Sequence, residues 1–314
     1  MTNDRTRGGK DRLKSPPHKE RFPVEPAEPF FKRIAVIGLG LIGGSWALAL
    51  KKLGYPAHRV GLDTPQALKQ AVESGAVHEG VRDVDEAVRN TDLVILATPV
   101  GKILDLLPLL KTSAPRHALI TDVGSTKRRI AEKAKELPAG GPLFLGGHPL
   151  AGKEHSGFEY ADAELFRNAC YAIVPPSRTA MQDARAKAFV GLVESLGAKP
   201  CVMDAASHDV AVAYLSHMPQ LLSTGLAGMV AEKAGRDGLS LDLAGSGFRD
   251  LTRLAESPYS MWRDICLTNT ENIQAALDAM IQRLDTIKIH LSTRELEKEF
   301  NQARRLRQKL HEKD

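Results

Sequence analysis

The sequence RIAVIGLGLIG, residues 33–43, decides the fold of the first half of the chain. A short β-branched run, Arg33–Ile37, predicts a strand and leads into a G-x-G-x-x-G pattern, and the spacing that follows predicts a helix. At these positions Gly38 permits a tight turn, Gly40 lets a pyrophosphate approach the backbone, and Gly43 lets the helix pack closely on the strand. The stretch therefore predicts a dinucleotide-binding loop.

An acidic residue follows at the distance that such a loop requires. Asp63 ends a predicted second strand, His58–Asp63, 20 residues after the last glycine of the pattern. Its carboxylate is placed to accept both hydroxyls of an adenosine ribose and would repel a 2′-phosphate. No Arg or Lys follows before Lys69, so NAD is favoured over NADP. The N–H groups of Leu41 and Ile42, at the start of the helix, would hold the phosphates.

Strand-like and helix-like patterns alternate from residue 32 to about residue 175. Four later apolar runs have the length and composition of buried parallel strands. They are Leu93–Thr98, Ala118–Asp122, Leu143–Gly146 and Cys170–Val174. This alternation predicts an α/β fold with a Rossmann-like, doubly wound parallel sheet.

The pattern changes after Pro175-Pro176, and beyond one short strand at Lys199–Met203 only helical periodicity remains. The predicted helices cover 205–234, 246–255, 258–291 and 294–311. We therefore expect a disordered basic tail at 1–29, an NAD-binding domain at 30–200 and an all-helical domain at 201–314. Val210–Ala231 carries no formal charge, which favours a core or subunit-interface helix and a homodimer over a membrane span.

The composition excludes several other classes of protein. The net charge is +5, but the surplus lies in residues 1–29 and 288–314, and the residues between them are balanced. Nucleic-acid binding is therefore not expected, because it requires clustered cations. The three cysteines are far apart and form no C-x-x-C pair, which favours a cytoplasmic protein without a structural metal or a disulfide framework. No targeting segment or membrane contact is expected.

Polar residues follow the later strands, at the sheet edge where ligands bind in open α/β folds. Thr98-Pro99 ends one strand, and Ser125 follows the next and would either cap a helix or take part in a site. His148 lies in the glycine-rich segment Gly146–Gly152 after an apolar strand. Hydride loss from a carbinol carbon also requires a base for the hydroxyl proton, and a histidine at this place is suited to that role.

Two residues of the helical half have ordinary interpretations if taken alone. His217 interrupts an apolar helix, where a histidine is usually a satisfied core residue, and Arg253 would usually pair on the surface. The motifs around them form an ordered series, however. The series is His148-Pro149-Leu150-Ala151-Gly152, Ser216-His217-Met218-Pro219, Gly247-Phe248-Arg249-Asp250-Leu251-Thr252-Arg253 and Met261-Trp262-Arg263-Asp264 with Asn269. From about residue 33 to residue 290 the chain resembles the prephenate/arogenate dehydrogenases of tyrosine synthesis.

The resemblance implies a role for several residues of this chain. His148 matches the family's catalytic histidine and Ser125 the serine beside it. His217 and Arg253 match residues that bind the substrate, and Glu154 matches an acid at the mouth of the active site. The chain departs from the family at Gln220, where many members have histidine. We do not expect the extra regulatory or chorismate mutase domains that some relatives carry.

The implied reaction is the oxidative decarboxylation of prephenate to 4-hydroxyphenylpyruvate with NAD⁺, without a metal. Three alternatives stay open on the sequence alone. The first is arogenate as substrate. The second is a 3-hydroxyacid or 6-phosphogluconate type of dehydrogenase, although Gly225–Lys233 does not supply its G-x-x-x-K lysine. The third is a non-catalytic NAD-sensing regulator, which would have no reason to keep His148, His217 and Arg253 together.

Overall fold

A computed structural model describes residues 29–153 and 155–311. Its N-terminal half is built on one eight-stranded sheet. The strands are β1 (Arg33–Ile37), β2 (His58–Leu62), β3 (Glu79–Val81), β4 (Leu93–Leu96), β5 (Leu119–Asp122), β6 (Leu143–Pro149), β7 (Cys170–Val174) and β8 (Lys199–Val202). The helices of this half are α1 (Leu41–Lys52), α2 (Pro65–Glu73), α3 (Val84–Val88), α4 (Val100–Ser113), α5 (Arg128–Ala134) and α6 (Ala184–Ser195).

The strand order is β3-β2-β1-β4-β5-β6-β7-β8. The chain moves outward from β1 to β3 and then in the opposite direction from β4, so a switch point lies between β1 and β4. Pairing is parallel from β3 across to β6, and the predicted Rossmann-like, doubly wound sheet is confirmed. Strands β7 and β8 are parallel to each other and antiparallel to the rest, because β7 pairs with β6 in the antiparallel sense. The expectation that Cys170–Val174 is a parallel strand is therefore wrong.

Burial explains why these segments form strands. All residues of β4 (LVIL) and β5 (LITD) are buried, as expected where helices cover both faces of a sheet. On one side the core is centred on Trp46, which stacks on Phe189 with ring centroids 5.9 Å apart and meets the edge of Tyr171. Helices α1 and α6 are thereby fixed against the sheet, and the glycine loop before α1 is fixed with them.

The second half is helical, as predicted. It contains α7 (Ala205–Val212), α8 (Met218–Asp237), α9 (Ser246–Thr252), α10 (Tyr259–Thr268), α11 (Thr270–Ile289) and α12 (Leu296–His311). Two predicted helices are interrupted: a π-helical turn at Ala213–His217 separates α7 from α8, and Asn269 separates α10 from α11. Within the described residues no helix is long and apolar enough to cross a membrane.

The helical half is docked on the sheet through the starts of two helices. The N–H groups of Lys127 and Arg128, where α5 begins, donate to the carboxylate of Asp209 of α7 over 2.7 and 2.9 Å. The N–H of Gly101, in the first turn of α4, donates to Asp264 Oδ2 of α10 over 2.8 Å. Because N–H groups at helix starts have no partner within their own helix, these carboxylates from the second half satisfy them.

Candidate active site between the two halves

A cavity of about 800 Å³ lies where the carboxyl ends of the central strands face the helical half. Its wall takes in the glycine loop and the ends of β4, β5 and β6 on one side, and α7, the π-helical turn and α10 on the other. Residues with candidate roles that line it are Gly40, Leu41, Ile42, Thr98, Pro99, Ser125, His148 and His217. The fold therefore brings together residues that are up to 177 positions apart in the chain.

The three glycines of the loop differ in their surroundings. Gly38 has φ +96°, and a Cβ there would lie 2.5 Å from the carbonyl oxygen of Ala97, the residue that follows β4. A Cβ on Gly43 would lie 1.8 Å from the carbonyl oxygen of Gly38. A Cβ on Gly40 would have no atom within 4 Å and would project into open space beside the cavity. Gly38 and Gly43 must therefore be glycine, because a Cβ at either position would clash with a backbone carbonyl oxygen. Gly40 instead leaves room for a ligand.

Asp63 lies at the end of β2, beside the same loop. Its Oδ2 accepts the N–H of Leu39 over 2.5 Å and its Oδ1 accepts the N–H of Thr64 over 2.6 Å. These bonds fix the carboxylate at the rim of the loop, and a carboxylate has further lone pairs for two ribose hydroxyls. Thr98, which also lines the cavity, has a buried Oγ1 with no hydrogen-bond partner among the described residues. The open space at Gly40 and the unpaired Thr98 hydroxyl fit a bound dinucleotide.

His148 is half-buried on β6, opposite Ala172 of β7. The sequence predicted a loop here, but β6 continues to Pro149, because antiparallel pairing with β7 extends it. The His148 Nδ1 lies 2.9 Å from Nε2 of His208, and the two rings meet edge to face. Burial lowers the pKa of His148 well below its usual range, and the nearby His208, Lys127 and His217 lower it further. The imidazole is therefore neutral at pH 7.

Ser125 lies in the cavity wall and does not cap a helix. Helix α5 begins only at Arg128, and Asp209 accepts its first N–H groups instead. The helix-cap interpretation of Ser125 is therefore wrong. The segment is held by a buried ion pair between Lys127 and Asp122, and Asp122 also accepts the N–H of Gly147 over 3.2 Å. This carboxylate thus ties the end of β5 to the residue before His148.

His217 ends the π-helical turn, is buried, and lines the cavity. Asn269 Nδ2 donates to its Nδ1 over 3.2 Å, and the ring meets Trp262 edge to face at 5.9 Å. Burial lowers the pKa of His217 to about 4, against the opposing effect of Asp209, and His208 lowers it further. His217 is therefore a neutral hydrogen-bonding group at pH 7.

One predicted substrate residue, Arg253, is not brought into this wall. Arg253 starts a short 3₁₀ segment, Arg253–Glu256, where its side chain is exposed, and it is absent from the described residues that line the cavity. Its neighbour Leu254 accepts a hydrogen bond from Gln220 over 2.7 Å, which ties this segment to the helix that follows His217. Glu154 lies outside the described residues, as does the tail up to residue 28.

Four further residues, which the sequence did not predict, lie around His148. They are His208, Asp209, Lys127 and Asp122. An available signal was the His208-Asp209 pair at the start of an apolar helix, since two adjacent polar residues on a buried helix need partners. Lys127 gave no such signal, because a lysine before a helix is usually solvated.

The fold and this cavity define a class of protein, the two-domain dehydrogenases that bind a nicotinamide dinucleotide between a Rossmann-like and a helical half. Comparisons with known proteins narrow the class. The family profile "Prephenate dehydrogenase, nucleotide-binding domain" matches residues 46–202, and "Prephenate dehydrogenase, dimerization domain" matches residues 204–308. Together they cover most of the chain, and the chain belongs to the prephenate dehydrogenase family.

Individual relatives agree with this assignment. A prephenate dehydrogenase of Lactococcus lactis is 36% identical over 282 residues, which are 88% of this chain and 77% of the relative. The crystal structure of prephenate dehydrogenase from Aquifex aeolicus in complex with hydroxyphenyl propionate and NAD⁺ superposes with a TM-score of 0.79 at 27% identity, covering 89% of this chain and 98% of that one. Synechocystis arogenate dehydrogenase gives a TM-score of 0.74 at 33% identity, covering 88% and 99%.

Proposed function

We propose that this NAD-dependent prephenate dehydrogenase uses His148 as the base in the oxidative decarboxylation of prephenate to 4-hydroxyphenylpyruvate. The observation that carries the proposal is a neutral histidine in the wall of a cavity that also contains the dinucleotide loop. A base must be unprotonated at the working pH, and the lowered pKa of His148 meets that condition. Bound NAD⁺ supplies the acceptor for the hydride that leaves C4 of the substrate.

His148 acts on the oxygen at C4. It accepts the hydroxyl proton while the C–H bond breaks, so that the oxygen becomes a carbonyl. Loss of CO₂ from C1 then leaves its electron pair in the ring, which becomes aromatic, and negative charge moves to the C4 oxygen. His148 returns the proton to that oxygen. Aromatisation drives the decarboxylation, so the protein has only to position the substrate and transfer this proton.

The other residues of the site would bind and orient. Gly38, Gly40 and Gly43, with the N–H groups of Leu41 and Ile42, would hold the pyrophosphate. Asp63 would accept the ribose hydroxyls, and Thr98 and Pro99 would lie against the nicotinamide end. The support for these roles is the open space at Gly40 and the unpaired Thr98 hydroxyl.

Ser125 would orient the substrate hydroxyl beside His148, and His217 would donate a hydrogen bond from Nε2 to the substrate, because its Nδ1 accepts from Asn269. Arg253 and Glu154 are assigned to the substrate site by the family resemblance. For Arg253 the structural support is its closeness in the fold to the helix after His217, through the bond between Gln220 and Leu254. Its cationic guanidinium would meet a substrate carboxylate.

The experiment is a steady-state assay with prephenate and arogenate, each with NAD⁺ and NADP⁺. Prephenate with NAD⁺ should give the highest kcat/KM. Arogenate is the second candidate, because a solved arogenate dehydrogenase is 33% identical to this chain. An enzyme that uses arogenate alone would reverse the assignment, and a chain that binds NAD⁺ but oxidises neither substrate would be a regulator.

We further propose a homodimer with an NAD-binding domain at 30–200 and a helical domain at 201–314, located in the cytoplasm. The matching family profile is that of a dimerization domain, and several large apolar side chains of the helical half are exposed in the single chain. They include Leu215, Met229 and Leu243. The cysteines are free thiols, which suits a reducing compartment. Sedimentation of dilute protein should give twice the 34.1 kDa chain mass.

A further inference from the structure

We propose that His208 and Asp209 are positioning residues that hold His148 in the tautomer whose Nε2 is free of a proton and faces the reaction. The inference deepens the proposed function, since it rests on His148 being the base. Neither residue needs to touch the substrate for this role. Both act through the hydrogen bond at the far side of the His148 ring.

The three side chains form a continuous hydrogen-bonded series. His148 Nδ1 lies 2.9 Å from His208 Nε2, and His208 Nδ1 lies 2.8 Å from Asp209 Oδ1. His208 is 1% exposed and Asp209 is fully buried, so water does not compete for these bonds. His148 comes from the sheet, whereas His208 and Asp209 come from α7 of the helical half.

The surroundings of Asp209 decide which atom carries each proton. Its Oδ1 also accepts the N–H of Lys127 over 2.7 Å, and its Oδ2 accepts the N–H of Arg128 over 2.9 Å. A backbone N–H can only donate, so the group that it meets must be an acceptor. Asp209 is therefore a carboxylate that accepts at both oxygens, and His208 must donate its Nδ1–H to it.

This assignment propagates to the base. With the proton on Nδ1, a neutral His208 has a lone pair on Nε2, and it can only accept from His148. His148 must then carry its own proton on Nδ1, which leaves Nε2 unprotonated. Without the series, either tautomer of His148 would be possible, and the one protonated at Nε2 could not accept the hydroxyl proton.

The same bonds stabilise the product of proton transfer. When His148 becomes an imidazolium, its Nδ1–H donates to a neutral His208, which in turn donates to the Asp209 carboxylate. Both hydrogen bonds then include a charged group and are therefore stronger. Among the described residues, the other groups that act on the pKa of His148 are Lys127, which is paired with Asp122, and His217, which is neutral at pH 7. Asp209 is thus the anion through which the helical half supports the charge.

The test is a double-mutant cycle on the full-length enzyme with prephenate and NAD⁺. His208→Phe removes the acceptor for His148, and His208→Gln keeps a carbonyl oxygen that can accept the same proton. We expect His208→Phe to lower kcat by about 10²–10³-fold with each KM changed less than about threefold. His208→Gln should recover to within about tenfold of wild type. In a His148→Asn background, His208→Phe should have no further effect, because the series acts only through His148.

A second pair of variants tests whether the effect on kcat depends on which carboxylate of α7 and its N-cap loses its charge. Asp209→Asn should lower kcat strongly, because an amide cannot accept from all three donors. Asp204→Asn makes the same chemical change on the exposed N-cap of the same helix and should leave kcat unchanged. Thermal unfolding of each variant identifies any loss of folding, and His208→Gln keeps the test decisive if His208→Phe does not fold.

Three results would overturn the inference. Equal losses from His208→Phe in the wild-type and His148→Asn backgrounds would mean that His208 does not act through His148. Full activity of His208→Phe would mean that no acceptor is needed. A wild-type enzyme without prephenate-dependent NADH formation would overturn the proposed function and this inference with it, whereas the first two results leave the function intact.

Discussion

Replacing Gly40 with alanine should weaken NAD⁺ binding without disturbing the fold. A Cβ at Gly40 meets no atom within 4 Å, and the residue has an extended backbone with φ −71° and ψ −157°, which alanine also adopts. We therefore expect the free energy of unfolding of the apo-protein to change by less than about 0.5 kcal/mol, which is typical of surface substitutions.

The cofactor should respond differently, because the added methyl group occupies the space that a pyrophosphate needs to reach the backbone. Displacing one charge-assisted hydrogen bond costs about 1.5–3 kcal/mol. That corresponds to an increase in the Kd for NAD⁺ of about 10–150-fold. Isothermal titration calorimetry of the apo-protein with NAD⁺ measures the Kd, and a thermal melt without ligand measures the stability.

Gly43→Ala is the matched control in the same loop. Its Cβ would lie 1.8 Å from the Gly38 carbonyl oxygen, so the loop must move, and stability should fall by about 1–3 kcal/mol or more. Wild-type affinity of Gly40→Ala for NAD⁺, or equal losses of stability in Gly40→Ala and Gly43→Ala, would refute the assignment of Gly40 to the pyrophosphate.

Four further outcomes are expected. Because Asp63 is held at the rim of the glycine loop, kcat/KM with NAD⁺ should exceed kcat/KM with NADP⁺ by at least about tenfold. Equal values for the two cofactors would mean that Asp63 does not bind the ribose hydroxyls. His148→Asn should lower kcat by about 10²–10⁴-fold with little change in KM, and the acidic limb of the wild-type rate should lie below pH 6.5 because burial lowers the pKa of His148. Between pH 6.5 and about 4, His217 is protonated in the unfolded chain but not in the folded chain, so the free energy of unfolding should fall as the pH falls, by up to about 3 kcal/mol. The melting temperature of His217→Asn should depend less on pH than that of the wild type, and an identical dependence would contradict the lowered pKa. Arg253→Ala should raise the KM for prephenate by an amount that corresponds to about 2–4 kcal/mol of lost binding free energy, and Arg253→Lys should raise it less. The KM for NAD⁺ should stay constant. An unchanged KM for prephenate would mean that Arg253 has only a structural role.

Local sequence patterns were sufficient for the elements whose signal is strong. The strands Arg33–Ile37 and Cys170–Val174 have the predicted bounds, because each is an apolar run ended by glycine or proline. Strand β3 was missed, since three residues with a central glycine at the sheet edge carry no periodicity. The antiparallel direction of β7 could have been predicted from the sequence. No helical pattern separates β7 from β6, and two adjacent parallel strands require a crossover connection, which is usually a helix.

The catalytic surroundings were only partly predictable. The residue type and its glycine-rich context indicated His148 as a candidate base, but the series behind it joins positions 60 residues apart, and no spacing in the sequence links them. The break at Asn269 was likewise invisible, because apolar periodicity continues across it. Its side chain bonds both the Asp209 carbonyl and His217, so that position is determined by tertiary contacts.

The carboxylates of Asp209 and Asp264, which reach from the helical half to the first turns of α5 and α4, limit how this gene can recombine. A chimaera joined between β8 and α7 would exchange whole domains at a natural boundary, yet the nucleotide-binding half would lose acceptors at two helix starts unless the donor supplied acids in both places. Each N–H left buried without a partner costs about 1–3 kcal/mol. We therefore expect successful domain shuffling to be restricted to parents that supply an acid at both positions.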